Sequence, residues 1–281
     1  MSDRPVGLYL SGGIDSTAIL GVMSELTDHP VRTFTVGFDV REQSDKFNTD
    51  FNLAKKTSQH FGSVHESIIL SPKDVLDNFE KIIWHGDDLV ANHTQPAMYT
   101  LSGLAKKSVA VVLAGDGGDE LFAGYDRYYL NRQMDKIQIV PRVFRNNWLP
   151  RLVLGDETYR KFNAESTIDR WLSFMAQKEN IVDRFLKSNF NHKNTASEFL
   201  NTRIAERKFP SRNQASSTKL FQYLDMQTWL VDDALNRVDR MSMAHGIEER
   251  VPFLDKEMVV LAMSIPSQYN LDKRTGGKKL F

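Results

Sequence analysis

The stretch Leu8–Leu20, LYLSGGIDSTAIL, admits few folds. Val6 to Leu10 form an apolar, partly β-favouring run, and Ala18, Ile19, Leu20, Val22 and Met23 form the buried side of a helix. Between them lies the turn Ser11–Thr17. Gly12 and Gly13 let the backbone bend sharply and keep side chains out of a ligand's way. The amides that follow point outward at a helix N-terminus, an arrangement that suits a phosphate. The turn has no lysine after its last glycine and the wrong glycine spacing for a Walker A loop. Asp15 places a carboxylate inside this anion site, which is reasonable where Mg²⁺ bridges carboxylate and phosphate. The competing reading is an ordinary Gly-Gly turn with Ser or Asp as helix cap.

Strand and helix patterns alternate through the first half. Val31–Asp39 and Val64–Leu70 read as strands, and Val109–Gly115 as a fully buried one. Residues 50–62 read as a helix with Leu53, Ala54, Thr57 and Phe61 on one face and Gly62 as its stop. A further helix opens at Pro96 and carries Ala97, Met98, Leu101, Leu104 and Ala105. This repetition predicts an α/β fold with a doubly wound, mostly parallel sheet. Ligands of such sheets sit beyond the strands' carboxyl ends, where residues 11–17, 36–39 and 115–120 fall. From Tyr128 to Ser217 the chain is rich in Arg, Lys and Asn, with helices expected around Trp171–Met175 and Ile181–Leu186. One long helix is expected through Leu220, Leu224, Gln227, Val231, Leu235, Val238 and Met241. An added, mostly helical part is therefore predicted.

The second glycine-rich motif, Ala114–Tyr128 (AGDGGDELFAGYDRY), follows the buried strand directly. Asp116, Asp119 and Glu120 put three carboxylates into five residues, which calls for a counter-cation such as Mg²⁺ with pyrophosphate. A solvated acidic loop is the alternative, and the motif's position at a strand's carboxyl end disfavours it. With no cysteine, thiolate metal sites, disulfides and a cysteine nucleophile are all excluded in this chain. A net charge of +0 gives no nucleic-acid footprint, and no apolar run is long enough for a membrane span. A cytoplasmic protein without nucleic-acid or membrane partners is expected.

Ser11–Thr17 resembles the pyrophosphatase loop (PP-loop) of the N-type ATP pyrophosphatases, which cleave ATP between its α and β phosphates. Together with TFTVGFD, GDGGDELFAGY and VDRMSMAHGIEERVPFLD, it makes nearly the whole chain resemble the synthetase domain of the asparagine synthetase family. The resemblance implies an adenine nucleotide α-hydrolase-like fold, with residues 1–127 as the ATP-binding core and 128–281 as a mainly helical part completing the site. It implies that Leu10 and Val36 hold the adenine through backbone groups, with Ala114 and Gly115 against the nucleotide. Ser11, Gly12, Gly13, Asp15 and Ser16 would cradle pyrophosphate, with Asp15 and Asp119 on Mg²⁺. Asp116 would face the acyl-adenylate and manage the amine's proton. Lys278, or less favourably Lys279, would neutralise charge on the α-phosphate. In the region's final motif, Asp239, Arg240, Glu248 and Arg250 are ion-pair candidates, Arg250 as an anchor between long helix and sheet. Asp88-Leu89 stands where many members have Glu-Pro; with His85 and His93 beside it, it reads as a structural loop rather than a metal site.

The implied reaction joins ATP with a carboxylate, most simply aspartate, to give an acyl-adenylate and pyrophosphate. Ammonia, supplied by a glutaminase domain or partner, then yields the amide. Glutamine-dependent members begin with that glutaminase domain and carry an N-terminal cysteine nucleophile. This chain opens at SDRPVG and stops within the lysine motif TGGKKLF, so an excised synthetase domain with a shortened C-terminus is expected. A homodimer is compatible with the sequence. Two alternatives stay open: a ligase of the β-lactam synthetase or lasso-cyclase kind, and a degenerate nucleotide-binding scaffold.

Overall fold

The computed structural model describes residues 3–40, 42, 44–88, 92–137, 158–159, 161, 163–164, 166–175, 195–206, 216–271 and 278. The helix expected around Ile181–Leu186, together with Leu89 and Lys279, lies outside them. In chain order the first elements are β1 (Val6–Tyr9), α1 (Ile14–Leu26), β2 (Arg32–Phe38), α2 (Ser44–Phe47), α3 (Thr49–Phe61), β3 (Val64–Leu70), α4 (Pro72–Gly86), α5 (Gln95–Ala105) and β4 (Val111–Leu113). Then come α6 (Gly118–Phe122), α7 (Asp126–Ile137), α8 (Thr167–Met175), α9 (Thr195–Glu206) and α10 (Ser217–Gln227). A π-helical segment (Leu230–Leu235), α11 (Asn236–Met243), β5 (Glu248–Arg250), a 3₁₀ turn (Pro252–Leu254), α12 (Lys256–Ser264) and α13 (Ser267–Asn270) follow. None of the described helices is long and apolar enough to cross a membrane.

The chain divides into two compact units. One comprises Met1–Gly118 with Thr228–Leu261 and Phe281, the other Asp119–Gln227 with Ala262–Leu280. The first holds a five-stranded sheet in the order β3-β2-β1-β4-β5, with every pairing parallel. The expected α/β, doubly wound parallel fold is therefore present. Its register pairs Leu8 with Thr33 and with Leu113, so β1 lies centrally. Strand order reverses at β1: the chain winds outward to β3, then returns to β4 on the other side. The crevice between β1 and β4 is thus the switch point at which such sheets bind ligands, and both glycine-rich loops leave the strands there.

Packing explains the local choices. Tyr9, Phe34, Leu101, Ala105, Val109, Val112, Ala114 and Ile247 form a buried cluster on this sheet. A side chain at Gly7 would come within 2.7 Å of the Phe34 ring, so glycine there makes room for an aromatic core residue. Asn48 stands at the N-cap position of α3, but its side chain pins the end of β2 instead of capping the helix, Oδ1 accepting from Phe38 N (2.7 Å) and Nδ2 donating to Phe38 O (2.9 Å). Helix α3 ends at Gly62 in the left-handed conformation, as expected (φ 65°). Its buried face differs from the expected one: Ala54 and Ser58 are buried, whereas Leu53 is exposed.

The expected long helix is interrupted. Leu220 and Leu224 are buried in α10, but Val231 is half exposed while Leu230 and Ala234 are buried. The wider π turns over Leu230–Leu235 take up an extra residue, so the apolar stripe slips by one position before Val238 and Met241 resume it. Periodicity alone cannot register such a slip.

The second unit is built on Ala123, Tyr128, Ile168, Trp171, Leu200, Leu220, Phe221, Leu224 and Leu271. At its centre the fully buried carboxylate of Asp225 accepts from Arg127 Nε (3.0 Å), Trp171 Nε1 (2.8 Å) and the Tyr128 hydroxyl. Burial pushes the Asp225 carboxyl above its ordinary range even against these donors. Removing one side of a buried ion pair strands the other, typically at about 3–5 kcal/mol. Asp225→Ala should therefore lose about that much stability, read as an earlier urea midpoint, whereas Asp77→Ala on exposed α4 should shift it little.

Candidate functional site

The first loop is shaped by its own serines. Ser11 N donates to Ser16 Oγ (3.1 Å), Gly13 N donates to Ser11 Oγ (3.1 Å), and the two hydroxyls lie 2.9 Å apart. Thr17 Oγ1 donates back to Gly13 O at 2.9 Å. The N-cap of α1 is Gly13, in extended conformation, and no side chain caps the helix. The Ser-or-Asp cap of the alternative reading is thus not what forms, and the first turn of α1 carries no side-chain cap. Gly12 is required by space rather than by an unusual φ. A Cβ there would lie 2.8 Å from Asp50 Oδ1 and from Leu53 Cβ, because the first turns of α3 press against the loop.

The second loop packs directly on the first. A Cβ at Gly118 would come within 2.7 Å of the Asp15 carboxylate, and one at Gly115 within 3.1 Å of Asp15 Cβ and Ser16 N. Gly117 takes a left-handed φ of 88°, and a Cβ there would collide with Leu254. These glycines let the Asp15 carboxylate sit under the backbone of the second loop, with its Oδ1 out of solvent contact. Ala114 is buried, and its amide donates to Arg250 O at 2.9 Å. Leu10 directly follows β1, and its amide donates to Phe34 O (2.9 Å). Val36 stands near the end of β2, paired in register with Ile68.

Beside Asp116 lies a residue that the sequence reading passes over. Glu249 sits in the middle of β5, opposite Val112, with both carboxyl oxygens buried and no hydrogen-bond partner for them among the described residues. Burial, then the charges of Asp116 and Asp239, push its carboxyl up to about 8, opposed by Arg237. Glu248 and Arg250 pair with each other at 2.7 Å on the exposed side of the same strand, and Arg240 pairs with Asp87 at 3.0 Å. Such exposed pairs contribute little.

In the second unit, Lys278 Nζ pairs with Asp119 Oδ1 at 2.6 Å, bringing together two residues that the sequence assigns separately. Gly124 makes this contact feasible, since any Cβ there would overlap the Asp119 carboxylate and crowd Lys278. Its amide also donates to Asp119 O at 2.9 Å. Next door, burial pushes the Glu120 carboxyl up to about 7. It accepts from the Tyr125 hydroxyl (3.0 Å), while Gln222 Nε2 holds the backbone carbonyls of Glu120 (2.7 Å) and Leu121 (2.8 Å). Glu120 is thus a structural member of the acidic cluster, anchoring the turn that carries Asp119. No group of three or more His, Asp or Glu side chains suited to a metal ion occurs among the described residues.

Comparison with known proteins matches a family model described as asparagine synthase over residues 1–281. The chain belongs to the asparagine synthase family. It is 32% identical over 273 residues to asparagine synthetase (glutamine-hydrolyzing) 1 of Bacillus subtilis, covering 95% of this chain and 41% of that protein. It is 24% identical to asparagine synthetase (glutamine-hydrolyzing) 3 of the same organism over 297 residues, or 99% of this chain and 42% of the relative. A Lotus japonicus asparagine synthetase (glutamine-hydrolyzing) 1 is 24% identical over 290 residues, 99% and 34% respectively. The chain thus spans about two-fifths of the length of the Bacillus relatives (41% and 42%).

Within this asparagine synthase family chain, Glu249 makes stability depend on pH in a defined direction. Its carboxyl binds a proton more tightly folded than unfolded, so the stabilisation is complete below pH 4.5 and is lost as pH rises through about 8. Glu249→Gln cannot ionise and escapes that loss. The variant should gain on the wild type between pH 5 and pH 9 by a few kcal/mol, at ~1.4 kcal/mol per pKa unit. Urea midpoints of both proteins at the two pH values check this; a gap that does not change with pH contradicts it.

Proposed function

We propose that this chain carries out the ATP-consuming half of asparagine formation: a carboxylate, most simply the side chain of aspartate, is adenylated and then amidated by ammonia. The observation that carries this reading is the Asp15 carboxylate seated under Gly118, between an uncapped helix start and a second glycine loop. Ser11, Gly12, Gly13 and Ser16 bind the β- and γ-phosphates through amides and hydroxyls; Leu10, Val36, Ala114 and Gly115 border the nucleoside. Lys278 neutralises charge that develops on the α-phosphate as the carboxylate oxygen attacks. Catalysis of this kind is mainly positioning and charge compensation.

Mg²⁺ fits the residues present. Asp15 in the first unit and Asp119 in the second are each a hard carboxylate, and magnesium is usually held by one or two carboxylates plus substrate phosphates. Asp119 already holds a cation in the form of the Lys278 ammonium. When bound, the ion neutralises the pyrophosphate that leaves. Asp116 accepts the proton released as the amine adds to the acyl carbon and AMP departs. Ammonia comes from a glutaminase domain or partner in the cytoplasm, because a chain without cysteine has no thiolate with which to open glutamine.

Exchange of labelled pyrophosphate into ATP tests the adenylation step across a panel of carboxylates. Aspartate should support it, Asp15→Asn should lower it at least ~100-fold with an unchanged urea midpoint, and Asp77→Asn should leave it within about twofold. Amide should form with ammonia and not with glutamine alone. No exchange with any carboxylate would favour the scaffold reading. Exchange with a bulkier carboxylate but not aspartate would favour a specialised-metabolite ligase.

A further inference from the structure

We propose that Glu249 is a positioning residue for the amine-transfer half of the reaction, keeping its own proton beside Asp116 so that Asp116 remains the charged member of the pair. This rests on the ligase reading above and assigns a role within it to a residue outside the glycine-rich loops.

The placement comes from the sheet. Glu249 lies opposite Val112 in the β4–β5 register, and the loop that leaves β4 passes through Ala114 and Gly115 to Asp116. Four groups face the carboxyl from the surrounding elements: Asp116 after β4, Asp239 and Arg237 on α11, and Tyr9 on β1. Two of these are carboxylates. Arg237 bonds Asp233 at 2.9 Å, and the Tyr9 hydroxyl lies 2.8 Å from Ser102 Oγ, so neither is committed to Glu249. An ionised carboxylate needs donors, and none of the described groups gives one to either Glu249 oxygen. Two neighbouring carboxyls, one of them buried, do not both ionise cheaply, and their protons come off in coupled steps. The proton therefore stays on Glu249, whose buried oxygens have no donor among the described residues.

The chemical consequence follows at Asp116. As the amine nitrogen bonds to the acyl carbon, the carbon–oxygen bond to AMP breaks, AMP leaves with the electron pair, and the surplus N–H proton passes to the Asp116 carboxylate. A protonated Glu249 adds no second negative charge to that event. Once Glu249 ionises, the basicity of Asp116 changes, and the amine step changes with it. Adenylation, which does not use Asp116, does not.

Two measurements on this chain test the assignment. In carbon-13 spectra of protein labelled at the glutamate carboxyls, the signal lost in Glu249→Gln should titrate near pH 8 in the wild type. Asp116→Asn should move that midpoint down toward the ordinary carboxylate range. A midpoint unmoved by Asp116→Asn, or one already in the ordinary range, overturns the pairing without any substrate being added. Hydroxylamine, which stays unprotonated across this range, then replaces ammonia as the nucleophile. Hydroxamate formation by wild type and Glu249→Gln should coincide below about pH 8 and diverge above it, while their pyrophosphate exchange profiles stay superimposable. Superimposable hydroxamate profiles overturn the role; an equal change in both half-reactions marks Glu249 as merely structural and overturns it too. Absence of hydroxamate with every carboxylate counts against the ligase reading, while the titration still decides the pairing.

Discussion

The first unit depends on one close packing: the carboxylate of Asp15 fills the volume that a side chain at position 118 would need. Moving either group by a methyl would separate the loop after β1 from the loop after β4. Parallel pairing of β1 with β4 sets their carboxyl ends side by side, and the glycines at 115 and 118 let the second loop close onto the first. A helix start without a side-chain cap then faces the same crevice. Sheet order, glycine placement and the half-buried Asp15 carboxylate thus bring the two loops together at the switch point of the sheet.

The second unit solves a different electrostatic problem. It buries Asp225 and Glu120 and equips each with donors: Arg127, Tyr128 and Trp171 for the first, Tyr125 for the second. These contacts fix the turn at 119–125 from behind, which leaves Asp119 partly exposed and paired with Lys278. A lysine on a carboxylate is compact and exchangeable. Unlike an arginine, it makes no bidentate hydrogen-bond fork with the carboxylate.

Much of this was legible in the residues. Strands β1 to β3 and the fully apolar β4 announce themselves by composition, and both glycine-rich loops follow strands directly. Strand β5 is invisible by that test, since Glu248, Glu249 and Arg250 are all ionisable residue types and only pairing with β4 makes them a strand. Helix α4 carried a readable signal that went unused, the Ser71–Asp74 capping box before Pro72. The π turns shift the apolar stripe by one residue, which no 3.6-residue period reveals. In the site, the acidic and glycine residues of both motifs were legible, but their division of labour was not. Glu120 reads like Asp119 in sequence, yet one is buried on Tyr125 and the other meets Lys278. Gly124 and Glu249 matter only through neighbours distant in sequence or defined by pairing.

The central claim is that the substrate carboxylate itself becomes bonded to the α-phosphorus of ATP. Aspartate labelled with oxygen-18 in its side-chain carboxylate, turned over with ATP and ammonia, measures this directly. The account predicts one labelled oxygen in the phosphate of the AMP released. AMP without label, or label appearing in inorganic phosphate beside ADP, would contradict it.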